Sequence, residues 1–358
     1  MKKVSAMMIV SLLASLSIIV PTLATPHFTP PTQQKQLQFK SDAERAAYTD
    51  FYNEKTDAVK KLALGKEFLK KFPDSDFAPS VEGVNIKAME IIFNQHLGAY
   101  YQAPGPSAAK LEPLIAIGDE YLSKQPDKPF YVGHLALATG YGVLADFYKD
   151  LDKSKAYAEK AIQLLASETA PPAKDWAPPL TPEQWGSFRT EGLSKLNQYL
   201  GIFILRQTTP DPEQAIACLT KAAENKTWPT AKDPNTYLQR AHANTIIYTK
   251  LSGEYSSLSA DDKTSDKGKD ALAKVDPVVD KIIDDLARAL ALLKPEMKVQ
   301  VDDAKERLTE FWKYRHDGKL EGMAELIKYY QADPTAPPPA KPATPAPSSQ
   351  KTSGGSVL

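Results

Sequence analysis

The stretch LGIFILRQTTPDPEQAIACLTKA, Leu200 to Ala222, sets the tightest limits on what this chain can fold into. An apolar run ends at Leu205. After it, Asp211 is placed to cap a helix, with Pro212 at the first helical position and Gln214 in the first turn. Beyond that turn Ala215, Leu219 and Ala222 recur at spacings of four and three, which is one stripe of a helix. The stretch predicts two antiparallel helices joined by a proline-marked turn, with small residues that let the backbones approach closely.

The same grammar recurs along the chain. Ser41 with Glu44 has capping-box spacing, and Ala43, Ala47 and Phe51 line one face of the helix that follows. A second helix carries Ala58, Leu62, Gly65, Leu69 and Phe72 and ends at Phe-Pro-Asp-Ser, Phe72 to Ser75. Val81 to Tyr101 and a helix with Leu111, Leu114, Ile115, Gly118 and Tyr121 form the next pair, broken by Gln102 to Ser107, where two prolines flank a glycine. Phe130 to Tyr148 and Asp152 to Leu165 form a third. Thr181, Pro182 and Gln184 start a long helix that runs into Leu200, and Asp233 with Pro234 opens another. Ser252 to Lys274 reads as a mobile polar insertion, after which Asp276 and Pro277 are expected to start a helix through Ile282, Leu286 and Ala289. Val301 to Tyr314 and Leu320 to Tyr330 close the series, and no strand pattern is found.

Leu200, Gly201, Ala215, Leu219 and Ala222 resemble the pattern of a tetratricopeptide repeat, with about two extra residues in the turn. Gly142, Ala145, Ser154, Ala158 and Ala161 give a second match, with serine where the family has its first alanine, and Phe72 to Ser75 resembles repeats of bacterial periplasmic members. Lys61 and Gly65 depart from the pattern, standing where the family prefers alanine and an aromatic, and Asn197 stands where it has a tryptophan-type residue. The resemblance implies an all-α chain, a tetratricopeptide-like right-handed superhelix of antiparallel helix pairs, built to bind other macromolecules along a concave side.

Residues 1–24 read as a secretory signal: Lys2 and Lys3, an apolar run from Ala6 to Val20, Pro21, then short residues up to Ala24. That run is short for a span of about 20 residues, so cleavage rather than stable membrane insertion is expected. No cysteine follows it, which argues against a lipoprotein. The expected organisation is a Pro/Gln-rich disordered lead-in at 25–40, a helical repeat domain at 41–332, and a disordered Pro/Ala/Ser-rich tail at 333–358, the whole periplasmic or secreted. Lys plus Arg and Asp plus Glu both count 44, a balance with no general attraction for nucleic acid. Cys218, the one cysteine, rules out an intramolecular disulfide and reads as a buried thiol.

The patterns of catalysis are absent or weak. There is no phosphate-binding glycine loop, and Gly140 and Gly142 belong to a helix. His27, His96, His134, His242 and His316 lack metal-ligand spacing, so no metal or cofactor is expected. Ser107 to Lys110 and Ser348 to Lys351 spell S-x-x-K without its companion motifs. The pairs Asp284 with Asp285 and Asp302 with Asp303 read as solvated helix faces, and Asn225 to Thr227 is a glycosylation sequon.

Aromatic residues are more informative. Tyr100, Tyr101, Tyr131, Tyr141, Trp185, Phe188, Tyr199, Tyr237 and Tyr248 are concentrated on first helices, which line the concave side in this family; most are expected in the core and the rest at a partner surface. The family's groove positions, carried onto the best repeat, are Lys195, Gln198, Ile202, Leu205 and Arg206, with Tyr199 beside them. The expected function is a non-enzymatic scaffold that holds a protein or peptide partner in the bacterial cell envelope. The alternative is a helical envelope enzyme acting on polysaccharide or cell-wall substrate, its carboxylates converging beside Trp176 or Trp228.

Overall fold

Capping side chains and apolar stripes set out thirteen α-helices among the described residues, 37–167 and 181–339 of the computed structural model, and no strand occurs among them. The helices are α1 (Asp42–Asn53), α2 (Ala58–Lys71), α3 (Ala78–Tyr101), α4 (Ala108–Lys124), α5 (Pro129–Leu144), α6 (Leu151–Ser167), α7 (Pro182–Leu205), α8 (Pro212–Ala223), α9 (Pro234–Ser256), α10 (Ala260–Thr264), α11 (Asp266–Leu292), α12 (Lys298–Arg315) and α13 (Met323–Ala332). The expected signal peptide, the linker with Trp176 and the tail beyond residue 339 lie outside the described residues. The chain divides into two compact units, Met1–Thr169 and Ala170–Leu358.

In the first unit each helix packs on the next from α1 to α6. Ser41 caps α1 by accepting from the Glu44 amide at 3.1 Å, and Asp57 caps α2 through the amides of Val59 and Lys60. Phe51, Phe68 and Val81 make a small core at the first hairpin. Order reaches back before Ser41, because the Phe39 ring stacks on Phe77 at 4.3 Å. A larger core of Met89, Phe93, Tyr100, Leu111, Leu114, Tyr121 and Leu135 joins α3, α4 and α5. Both departures from the repeat pattern at α2 have a local cause. A Cβ on Gly65 would stand 1.9 Å from Asn85 Oδ1, so a larger residue there requires the Asn85 side chain to move, while Lys61 Nζ donates to the Phe51 and Glu54 carbonyls at 2.5 and 2.9 Å and closes the end of α1.

The second helices of this unit are tied together by charge. Lys66 of α2 reaches Glu120 of α4 at 2.6 Å, Lys153 of α6 reaches Asp119 of α4 at 2.5 Å, and Lys160 reaches Asp127 at 2.7 Å. Tyr157 donates to the same Asp119. Helix α5 stops at Leu144, short of the expected Tyr148. Asp146 takes a left-handed φ of 64°, and the Phe147 and Asp146 amides donate to the carbonyls of Gly142 and Val143, the reversed pairing that ends many helices.

In the second unit Thr181 and Gln184 form a reciprocal capping box at the start of α7, and Asp211 caps α8 through the Gln214 amide at 2.9 Å. Helices then pack in order, α7 on α8, α8 on α9 and α9 on α11, with α12 and α13 also laid against α11. Helix α11 corrects the expected start at Asp276. It begins at Asp266, capped by Ser265, and Pro277 lies inside it. An interior proline forfeits one backbone bond and costs about 3 kcal/mol, but Val275, Val279, Ile282 and Leu286 are buried along one face, and Arg315 of α12 takes up the carboxylates of Asp276 and Asp280 at 2.9 and 2.8 Å. The polar stretch expected to be mobile is therefore helical: α9 runs to Ser256, and Gly268 abuts the Lys263 carbonyl so closely that a Cβ would lie 2.2 Å from it.

Consecutive packing in both units is compatible with a helical repeat protein. One close approach is at α7 and α8, where a Cβ on Gly201 would meet Leu219 Cγ at 2.7 Å and the Ala215 carbonyl at 3.2 Å. Gly201→Ala is expected to destabilise the fold by about 1–3 kcal/mol through overpacking. In chemical denaturation, combining it with Leu219→Ala should cost less than the sum of the two single losses, because the smaller side chain makes room for the methyl even though Leu219→Ala alone leaves a cavity.

Candidate functional site

The six predicted groove residues all sit on α7 or at its end, but they do not share one environment. Gln198, Tyr199, Ile202 and Leu205 are buried at 1, 4, 4 and 9% exposure, Lys195 is half-buried and Arg206 is exposed. The accessible part of the predicted groove therefore reduces to Lys195 and Arg206. What Gln198 does instead is join α7 to the start of α9. Its amide donates to Asp233 Oδ2 and Thr236 Oγ1, both at 2.8 Å, and its oxygen accepts from Lys195 Nζ at 2.7 Å. Asp233 meanwhile caps α9 through the Asn235 amide. Ser194 and Thr230 share a hydrogen bond, and both hydroxyls reach the Ala222 carbonyl at the end of α8. Burial pulls the Lys195 ammonium below its usual pKa, and the nearby Asp233 carboxylate opposes that shift.

Most of the aromatics of the first helices lie in the core. Tyr100, Tyr131, Trp185, Tyr199 and Tyr237 are buried, and the Tyr100 and Tyr237 hydroxyls donate to the carbonyls of Ala138 and Ala231. Tyr101, Phe188 and Tyr248 are half-buried, and Tyr141 is exposed. The uncovered stripes are elsewhere on these helices. On α3 it is Lys87, Ile91 and Gln95, four residues apart, with open space beside Gly83 and Gly98. On α9 it is His242 and Thr249 with Ile246 half-buried between them. Thr245 of α9 accepts from Arg307 of α12 at 3.4 Å, and burial with that guanidinium holds His242 below the usual histidine range.

The most strongly built polar cluster was not foreseen. Asp284 and Asp285, read from sequence as a solvated pair, are not on an open face: Asp285 is 2% exposed. Arg240 of α9 grips Asp285 with Nε at 2.9 Å and Nη2 at 2.5 Å. Arg288 bonds Asp284 through Nε at 2.9 Å and lies over the Tyr330 ring at 4.1 Å, while the Tyr330 hydroxyl donates to Asp284. Burial raises the Asp285 carboxyl, against the pull of Arg240, and burial with Asp284 raises the Tyr330 phenol. A signal was present: Asp285 lies between Ile282 and Ala289 at helical spacing, inside the apolar stripe. Asp302 and Asp303 do lie on an exposed face.

The remaining candidates stay separate. His96, His134, His242 and His316 fall on α3, α5, α9 and the end of α12, and among the described residues no group of three or more His, Cys, Asp or Glu is placed to hold a metal. Cys218 is buried in α8. Lys110 of the S-x-x-K stretch donates to the Gln102 carbonyl at 2.7 Å and thereby ties α4 to the end of α3. In the sequon, Asn225 Oδ1 accepts from the Thr227 amide and hydroxyl.

Two measurements check this electrostatics. Asp285→Ala strands a buried guanidinium and should cost about 3–5 kcal/mol in denaturant unfolding, whereas replacing the pair together by Arg240→Met and Asp285→Leu should cost far less. The second concerns His134, which burial lowers to about 3, beside the Phe130 ring at 4.2 Å. Between its ordinary value near 6.5 and about 3 the unfolded chain binds a proton there that the folded chain does not, so stability is complete above that window and falls as pH drops through it. Thermal melts from pH 7 to pH 5 should therefore show a smaller drop in Tm for His134→Leu than for the unsubstituted chain.

No protein-family model, curated protein or solved structure matches this chain.

Proposed function

We propose that this chain is an exported, non-enzymatic scaffold of tetratricopeptide type, whose hairpins wind into a right-handed superhelix and whose first helices hold a protein or peptide segment in the bacterial cell envelope. The observation that carries the reading is the order of packing: α1 to α6 pack in succession in the first unit, α7 on α8, α8 on α9 and α9 on α11 in the second, and the first helices α3 and α9 each keep one stripe that their own hairpin leaves uncovered. Such stripes, mixing an aliphatic side chain with amide, ammonium and imidazole groups, suit an extended peptide, which offers both backbone hydrogen bonds and small apolar side chains. The acidic residues support a structural part. Asp276, Asp280, Asp284 and Asp285 are each engaged by an arginine at 2.5–2.9 Å, so their carboxylates are committed to contacts within the fold.

Export is supported by the signal-like first 24 residues of the sequence, and the envelope setting by the resemblance of Phe72 to Ser75 to periplasmic repeats. Affinity capture from native envelope with the mature chain is the direct test. Ile91→Asp puts a charge into the middle of the α3 stripe without touching the core, and should reduce the captured partner at least fivefold while leaving Tm unchanged. The exposed Asp302→Asn serves as the control and should capture normally. Equal recovery by Ile91→Asp and the unsubstituted chain would remove α3 from the binding surface.

A further inference from the structure

The first residues of the Pro/Ala/Ser-rich tail make contacts with α11 and α13. Asp333 to Ala336 makes a turn, with the Ala336 amide donating to the Asp333 carbonyl at 3.1 Å and Asp333 Oδ1 accepting from the Thr335 amide and hydroxyl at 2.9 and 2.7 Å. Pro334 suits the second position of such a turn and brings no N–H of its own. The turn directs two carbonyls at one guanidinium: Arg288 Nη1 donates to Pro334 O at 2.5 Å and Nη2 to Ala336 O at 2.8 Å. Tyr329 then donates to Pro337 O at 2.9 Å.

Arg288 is 5% exposed, and its Nε is committed to Asp284. Its outer donors face the tail, with the Tyr330 hydroxyl as another acceptor, at 3.1 Å from Nη2. A buried guanidinium without those two carbonyls loses strong charge-assisted bonds. Peptide carbonyls presented by a proline turn are what this platform is shaped to accept, and none of the three contacts reads a side chain of the tail.

We propose that Arg288, Tyr329 and Tyr330 form a binding site for short proline-containing turn segments, and that Asp333 to Pro337 occupies it in cis. A peptide of the same chemistry binds in trans whenever the cis segment is released. This site is separate from the α3 stripe, so its test does not depend on the outcome there.

The experiment uses the full chain and a fluorescently labelled peptide with the sequence of residues 333–340. Fluorescence anisotropy is compared between the unsubstituted chain and a chain carrying Pro334→Gly, Pro337→Gly, Pro338→Gly and Pro339→Gly, which makes the cis segment costlier to order. The glycine chain should bind the peptide at least fivefold tighter. Adding Tyr329→Phe, a mild change at a partly exposed residue, should weaken that binding about threefold, and Arg288→Lys should weaken it further. If the tail is no more than an end to α13, the peptide binds neither chain. That result overturns the proposal, as does equal affinity for the two chains or indifference to Tyr329→Phe.

Discussion

A two-helix hairpin buries one side of each helix and leaves another apolar side open, and nearly everything in this chain follows from that surplus. Isolated helices of twelve to seventeen residues, such as α1, α2 and α4, are marginal in water, so they persist only where a neighbour covers them. Successive hairpins provide the cover, and they do so only if backbones come close enough for the stripes to interlock. Gly201 against Leu219 and Ala215, Gly118 against Leu135 and Gly65 against Asn85 mark where that approach is tightest. Each is a position where a methyl group fits only if the facing side chain gives way, so the stacking is set by size as much as by hydrophobicity.

The two units then solve the problem of holding stacked helices in register in different ways. In the first, lysines on one second helix meet carboxylates on the neighbouring second helix at the surface, contacts that contribute little energy apiece and fix relative position. In the second, the charges have been taken inside. Arg240, Asp285, Arg288 and Asp284 are shielded between α9, α11 and α13, with Tyr237 and Tyr330 providing aromatic faces for the guanidinium groups. A buried pair need not raise stability over an apolar one, but it rejects every packing that separates the partners. That is a way to specify one arrangement around α11, against which four other helices lie.

What could be read from sequence was what is decided locally. The caps at Ser41, Thr181 and Asp211 were legible because donor and acceptor sit within three residues of each other, and the hairpins because helical period survives in the stripes. The end of α5 was missed because an aspartate, not a glycine, takes the left-handed position at 146. The start of α11 was missed because Asp276 and Pro277 carry the local signature of a helix start, while Arg315, far along the chain, holds Asp276 for another purpose. The environment of the groove positions was not legible for a related reason. A repeat pattern says which face of α7 a residue occupies, but the burial of Gln198 depends on Asp233 and Thr236, and that of Tyr199 and Ile202 on packing that no local rule reports.

The tail shows how composition and placement can disagree. A run of Pro, Ala and Thr cannot bury a core, and on that ground order should stop at Asp333. Such a run does carry carbonyls in abundance and few competing amides, and a buried arginine short of acceptors is the complementary surface. Order beyond α13 therefore arises from the needs of Arg288 rather than from any propensity of the tail. The same reasoning links the core to the surface: Asp284 orients Arg288, Arg288 orients the tail, and Tyr330, stacked beneath the guanidinium and bonded to Asp284, makes the end of α13 part of the same polar assembly.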